Sequence, residues 1–251
     1  MIRPDRFLKP VRSENIKSKT FYRLKNILVF TGAGISAESG IKTFRDSGGL
    51  WEEYDVEDVA TPEAWQRNQE LVLDFYNKRR KQVMEAKPNA AHSALVELEK
   101  KYKVQIVTQN IDDLHERAGS KNVLHLHGEI SKSRSSIDPQ LIYNINGWEI
   151  KKGEKCQKGS QLRPHIVWFG EEVPNMEIAC EMTASADIML IIGTSLNVYP
   201  AASLIHYTHP KTPIYLIDPE AKNLDYKRNL TVIRETAGKG VVELVEKFML
   251  P

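Results

Sequence analysis

Apolar residues along this chain fall into two patterns that alternate. Residues 25–31, 104–108, 188–192 and 214–217 are short runs dominated by Ile, Leu, Val and Phe with little polar alternation, the mark of strands buried on both faces. Residues 123–126 form a shorter run of the same kind, and 230–232 read as an edge strand. Between these runs, residues 91–102, Ala201–Tyr207 and 240–249 place their apolar side chains at helical spacing. Strand-helix alternation of this kind predicts an α/β fold with a parallel sheet covered by helices on both faces.

Two stretches break the rhythm. Residues 61–84 read as one long helical region, with Pro62 near its start and Leu71, Val72, Phe75 and Tyr76 on its apolar face. Residues 141–145 and 148–150 flank Asn146-Gly147, and Asn-Gly supplies the positive φ angles of a type I′ turn, so this segment is expected to fold as a β-hairpin. The expected organisation is therefore a sheet domain (21–43, 85–127 and 165–251) interrupted twice by a smaller helical and hairpin lobe (44–84 and 128–164), with a ligand cleft between them. Residues 1–20 form a basic arm.

Composition narrows the class. With 251 residues and 41% hydrophobic content the chain can bury a substantial core, and its net charge of +2 is too small to argue for a nucleic-acid partner. No apolar run approaches membrane-spanning length. Two cysteines, Cys156 and Cys180, make no disulfide framework, which suits a reducing compartment. The N-terminal arm includes Asp5 and Glu14 and lacks a signal-peptide apolar run, so a solvated arm and a cytoplasmic location are expected. Nothing in the sequence sets an oligomeric state.

Candidate chemistry sits just after the predicted strands, where open α/β sheets bind ligands. The first strand runs into Gly32-Ala33-Gly34, a turn that can bring backbone close to a pyrophosphate ahead of a helix N-terminus. The third glycine of the usual dinucleotide fingerprint is replaced by Ala37, and a purely structural turn is the competing reading. After the second strand, Asn110 and Asp112 can hydrogen-bond a carboxamide and a ribose with Ile111 as an apolar wall; the alternative is a turn in which Asp112 or Asp113 caps the next helix. His127 titrates near neutrality and is the candidate general base. His125 shares its face two residues away, and Gly128 would allow close substrate approach. Gly193-Thr194-Ser195 offers hydroxyl and N–H donors at the fourth strand's end.

Four blocks in order, from Gly32 to Gly40 continuing through Ile41-Lys42-Thr43-Phe44-Arg45-Asp46, then Gln109-Asn110-Ile111-Asp112, Leu126-His127-Gly128 and Gly193-Thr194-Ser195, make the chain resemble the sirtuins, NAD-dependent protein deacylases, over nearly all residues after about Phe21. The resemblance implies a Rossmann-like fold and NAD as cofactor. It implies NAD contacts for Gly32, Ala33, Gly34, Phe44, Arg45, Gln109, Asn110, Asp112, Gly193, Thr194, Ser195 and Asp218, the last standing where the family commonly has Asn. It also implies that His127 is the catalytic base: the acyl oxygen attacks the ribose carbon as nicotinamide leaves, and His127 then deprotonates a ribose hydroxyl. Acylated lysine side chains of proteins are the implied substrates, with no nucleic acid and no membrane as partner. Val167, Trp168, Phe169 and Gly170 match the segment that pairs with the substrate backbone as a strand.

Two details refine the type. Tyr76 and Arg79 lie three residues apart on one helical face and resemble the sensor of the class that removes succinyl and malonyl groups, Arg offering a planar fork to a carboxylate and Tyr a hydroxyl. A solvated Lys78-Arg79-Arg80 face is the alternative. Sirtuins generally hold a zinc on four cysteines after the catalytic histidine; here Ser135, Asp138 and residues 158–159 stand near three of those stations and only Cys156 remains. No metal site is expected, and the 141–150 hairpin, with Ile137 nearby, is the expected substitute for the lost metal.

Overall fold

A computed structural model describes residues 24–42, 54–221 and 229–250; the basic arm lies outside them. Six strands form one parallel sheet: β1 (Asn26–Thr31), β2 (Lys103–Thr108), β3 (Val123–His125), β7 (Ile188–Ile192), β8 (Ile214–Ile217) and β9 (Leu230–Ile233), in the order β3-β2-β1-β7-β8-β9. All six fall within two residues of the expected runs. The reason is visible in β1, where every residue is buried: Ile27 and Val29 pack on one face with Leu95, Leu98, Val241 and Leu244, while Leu28 and Phe30 pack on the other with Leu204 and Ile205. Strand alternation sends successive side chains to opposite faces, and both faces are covered.

The helices differ in detail from expectation. The region 61–84 is two helices, Pro62–Arg67 and Gln69–Glu85, divided at Asn68. Thr61 caps the first by accepting from the Ala64 amide at 3.0 Å, and Asn68 caps the second by accepting from the Leu71 amide at 3.1 Å. Short polar side chains at helix starts satisfy otherwise unpaired amides, so Asn68 restarts the helix where apolar periodicity alone runs straight through. The stretch 91–102 is helical only over Ala90–Leu98, Ala201–Tyr207 is a 3₁₀ helix, and the C-terminal helix begins three residues early, at Ala237.

The expected hairpin is corrected. Gly147 does adopt φ +92°, but β5 (Ile142–Asn144) pairs antiparallel with β4 (Gly128–Ser135), which also pairs with β6 (Leu162–Ile166), giving a three-stranded sheet in the order β5-β4-β6. Ile150 is held instead by the Gln69–Glu85 helix: its amide donates to Asn77 Oδ1 at 2.9 Å and its carbonyl accepts from Asn77 Nδ2 at 3.0 Å. Arg80, buried on the same helix, donates from Nε to the Ile130 carbonyl at 2.6 Å and from a terminal nitrogen to the Trp148 carbonyl at 2.8 Å. Leu141, Tyr143 and Ile145 pack against the core of this lobe, whereas Trp148 and Ile137 are exposed.

Candidate active site

In the large sheet the chain runs outward from β1 to β3 on one side and from β7 to β9 on the other, so the order reverses between β1 and β7. Ligands of open parallel sheets bind outside the carboxyl ends of the strands at such a switch point. There the turn after β1 meets the turn after β7. The Gly34 amide donates to the Gly193 carbonyl at 2.9 Å and the Gly32 amide to the Ile192 carbonyl at 3.0 Å. A Cβ on Gly34 would lie 2.6 Å from Gly193 Cα, and Gly193 itself sits at φ +61°. These glycines let two backbones touch each other, a requirement additional to the expected approach of a phosphate, and all three line the cavity. The segment after the turn is a seven-residue 3₁₀ helix (Ala33–Ser39) whose Gly34 and Ile35 amides are already bonded, so it is not the open helix N-terminus that was expected.

A cavity of about 470 Å³ opens at this point. From the large sheet it is lined by Gly32, Ala33 and Gly34 after β1, by Gln109, Asn110 and Asp112 after β2, by His127 beyond β3, by Gly193, Thr194 and Ser195 after β7, and by Asp218 after β8. Tyr76 and Arg79 of the Gln69–Glu85 helix and Val167, Trp168, Phe169 and Gly170 after β6 close the other side. Residues singled out across nearly 190 positions thus meet in one place. Phe44 and Arg45 lie outside the described residues.

The loop after β2 is tightly held. Asn110 donates its amide to Thr108 Oγ1 at 3.0 Å and its side-chain amide to Ser36 Oγ at 3.2 Å; Ser36 donates to Asp112 Oδ2 at 3.0 Å. Asp112 Oδ1 also accepts from the Leu114 amide at 3.2 Å, so this residue serves the start of the Leu114–Ala118 helix and lines the cavity as well. Burial raises its pKa, opposed by the Leu114 and Ser36 hydrogen bonds. Gln109 donates to Thr194 Oγ1 at 3.0 Å, joining the loops after β2 and β7.

His127 Nδ1 lies 3.0 Å from the Gln109 carbonyl oxygen. A carbonyl only accepts, which assigns the proton to Nδ1 and leaves Nε2 as the basic atom. Burial lowers the pKa of the ring, partly offset by that hydrogen bond, so the imidazole is neutral near pH 7. Gly128 does not make room for substrate: at φ +82° it starts β4 against the His165 and Ile166 backbone, which a side chain would strike.

The segment after β6 is a turn, not a free strand. The Val167 amide donates to the His127 carbonyl, the Phe169 amide to the Ala60 carbonyl and the Trp168 amide to Glu171 Oε2 (2.9, 3.0 and 2.8 Å), so three amides expected to meet a substrate backbone are already engaged. Trp168 is core, packed at 5.8 Å between ring centroids on Trp65, while Phe169 is 46% exposed. Glu171, which sequence reasoning missed, organises this turn. Its carboxylate accepts from Arg134 at 2.9 and 3.0 Å and from Arg163 at 2.7 and 3.1 Å, and the Arg163 guanidinium stacks 3.2 Å above the Trp168 ring. Ser36, like Glu171, stood within a recognised block but was given no role there; both line the cavity and hold neighbouring groups.

Arg79 is 6% exposed and Tyr76 3%. Both Arg79 terminal nitrogens make long contacts, 3.3 Å, to the Lys42 carbonyl, and its Nε is buried without a hydrogen-bond partner; among the described residues no carboxylate forms an ion pair with it. Burial lowers the guanidinium pKa, opposed by the charge of Asp112, while burial raises the Tyr76 phenol far above its usual range and keeps it a neutral hydroxyl.

Where a four-cysteine metal site would stand, hydrogen bonds fill the space. Cys156 Sγ is 3.3 Å from Ser135 Oγ, 3.2 Å from Ser160 Oγ and 3.3 Å from the Lys158 amide, and Ser135 and Ser160 share a 2.9 Å bond. Lys158 Nζ pairs with Asp138 Oδ2 at 2.7 Å. One sulfur among hydroxyls and an ammonium is not a tetrahedral zinc donor set. Among the described residues no group of three or more His, Cys, Asp or Glu side chains is arranged to hold a metal ion.

The Sir2 family model matches residues 32–200. The chain belongs to the Sir2 family. This Sir2 protein is 53% identical over 233 residues to an NAD-dependent protein deacylase of Bacteroides thetaiotaomicron, covering 91% of this chain and 99% of the relative. It is likewise 53% identical over 228 residues to an NAD-dependent protein deacylase of Helicobacter pylori strain J99, covering 90% and 96%. Among solved structures it is similar to a Sir2 homologue in complex with NAD, with TM-score 0.81 and 40% identity, 89% of each chain being covered. No helix among the described residues is long and apolar enough to cross a membrane.

Proposed function

We propose that this Sir2 protein is an NAD-dependent protein-lysine deacylase that acts best on succinyl and malonyl lysine and also removes acetyl groups. The observation that carries the acyl preference is Arg79: a buried guanidinium lining the cavity beside the Tyr76 hydroxyl, whose hydrogen bonds among the described residues are two long contacts to a single carbonyl. A buried charge is costly unless paired, and an acyl chain ending in a carboxylate supplies the missing partner by a charge-assisted bond. The named relatives support deacylation over mono-ADP-ribosylation on the same fold.

When bound, NAD supplies an electrophilic ribose carbon and nicotinamide as the leaving group. The residues of this chain position and deprotonate. Gln109, Asn110, Asp112, Thr194, Ser195 and Asp218, which line the cavity, would hold NAD by their polar groups, and Gly32, Ala33, Gly34 and Gly193 would give it a wall free of side chains. His127 Nε2, basic because Nδ1 is committed to the Gln109 carbonyl, accepts the ribose hydroxyl proton. Trp168 and Phe169 wall off the acyl channel, and Val167 and Gly170 lie at its mouth.

We further infer that the smaller lobe (44–84 and 128–164) is held without zinc; the bonded set of Ser135, Asp138, Cys156, Lys158 and Ser160 and the separate hydrophobic cluster of that lobe support this. A cytoplasmic location is supported by the two free cysteines. Incubation with NAD and matched succinylated and acetylated peptides, followed by mass measurement of the products, tests the reading: acyl-ADP-ribose with faster loss of succinyl is expected. ADP-ribose appearing on protein with no peptide deacylated would refute it.

A further inference from the structure

His125 has a role that the proposed chemistry leaves unassigned. Its Nδ1 lies 2.9 Å from the Asn110 carbonyl oxygen and its Nε2 lies 2.8 Å from Glu116 Oε1. Neither partner can donate. A neutral imidazole has one N–H and one lone pair, so both contacts form together only when the ring holds both protons. His127, two residues on, turns Nδ1 to the neighbouring Gln109 carbonyl.

The geometry points to His125 as an imidazolium clamp: it ties the Asn110 carbonyl to Glu116 and, with His127, pins two consecutive carbonyls of the loop after β2, making it a positioning residue for the NAD side of the site. This rests on the NAD-site reading above. Two histidines on one face thereby hold opposite charge states, one charged and structural, one neutral and basic, a division set by their surroundings.

The neighbouring charges agree. Burial lowers the His125 pKa, but the Glu116 hydrogen bond and charge, the Asn110 carbonyl and Glu129 on β4 outweigh it and raise the net value. Asp112, in the clamped loop, adds negative charge nearby. Lys132 on β4 is paired with Glu129 at 2.7 Å, and His115, next to Glu116, is kept neutral by burial. Because the folded pKa is raised, the clamp is fully present below the unfolded imidazole value of about 6.5 and is lost as pH rises through the folded value. A neutral ring must turn a lone pair either to the Glu116 carboxylate or to the Asn110 carbonyl.

The test begins with long-range ¹H–¹⁵N spectra of the ligand-free protein across a pH titration. His125 is expected to hold both ring protons to a pH above the ordinary imidazole value of about 6.5, and His127 to become the neutral Nδ1–H form below it; a His125 that loses its second proton below that value would overturn the proposal. In Glu116→Gln the glutamine amide can donate to a neutral ring, so His125 should titrate at lower pH. Amides of Gln109 to Asp112, corrected for intrinsic exchange, should then keep at high pH the protection that the wild type loses. Protection that does not change in the wild type across the His125 titration would also overturn the clamp. For His125→Gln, NAD affinity by calorimetry should fall about tenfold, the equivalent of one charge-assisted hydrogen bond, with the peptide KM unchanged; unaltered NAD affinity removes the positioning role. If that variant does not fold, the spectra and exchange still decide. A wild type with the expected spectra and exchange but no deacylation would refute the reaction and leave the clamp standing.

Discussion

Replacing Arg79 with Met isolates the contribution of one buried charge to acyl choice. In the protein this guanidinium is 6% exposed, has two 3.3 Å contacts to one carbonyl, and has a buried Nε without a hydrogen-bond partner. Little of its hydrogen-bonding capacity is therefore spent on the described residues, and on the proposed reading a bound succinyl carboxylate would receive most of it. Hydrogen bonds to charged groups contribute about 1.5–3 kcal/mol, so kcat/KM for desuccinylation should fall by roughly 10- to 150-fold. Met keeps an apolar stem of similar length, and an acetyl group has no carboxylate to lose, so deacetylation should change by less than about threefold. Folding supplies an independent check. Removing a buried charge that is only weakly compensated, by Asp112 and the Lys42 carbonyl, relieves a desolvation cost, so the melting temperature should hold or rise, where a structural arginine would lower it. Competition between succinyl and acetyl peptides, read by mass spectrometry, gives the ratio directly. Equal losses on both substrates, or a marked drop in melting temperature, would show that Arg79 braces the helix and does not read the acyl group.

His127→Ala should abolish deacylation while calorimetric NAD binding largely survives, because the cofactor side is built from other residues; near-normal turnover would sink the base assignment. Since burial lowers the His127 pKa and the base works only when neutral, the acid limb of kcat/KM should lie below the ordinary imidazole value of about 6.5, and a limb above that value would contradict the lowered pKa. Glu171→Ala leaves the Arg134 and Arg163 guanidinium groups without their carboxylate, which should cost about 3 kcal/mol and lower the melting temperature by roughly 5–10 °C; a change within a degree or two would mean that the two arginines find other partners. Elemental analysis should give far less than one zinc per chain, with melting temperature and activity indifferent to a chelator, whereas stoichiometric zinc with chelator sensitivity would overturn the metal-free lobe.

The strands were legible because their pattern is simple: Ile27 to Phe30 and Met189 to Ile192 are apolar throughout, and only a strand covered on both faces calls for that over so short a length. The small sheet was not legible for the opposite reason. Asn146-Gly147 does provide a turn at Gly147, but what Ile150 pairs with is decided by Asn77, more than 70 residues away, and no local window contains that choice. Asn68 was passed over because a cap interrupts a helix without interrupting its apolar spacing. At the site, the residues that line the cavity stood in recognisable blocks, Ser36 and Glu171 included, but that these two also hold neighbouring groups in place has no signature in spacing. The glycines were legible as required, but one reason for them was not: their missing side chains make way for another turn of the same chain, more than 150 residues away.

That contact between bare backbones constrains how such a molecule can change over evolutionary time. Where Gly32 and Gly34 meet Gly193, the cavity wall has no side chain to exchange, and an added methyl group would force the two turns apart. Point substitutions there have almost no neutral steps available. The opposite wall is made of side chains, Tyr76 and Arg79, on a helix that Asn77 and Arg80 anchor elsewhere; Tyr76 is itself packed into the core, so Arg79 is the member of the pair whose chemistry can be rewritten with least disturbance to the support. One half of the pocket is mutationally closed and the other open, an arrangement that lets a lineage explore new acyl groups while the face towards the sheet remains fixed.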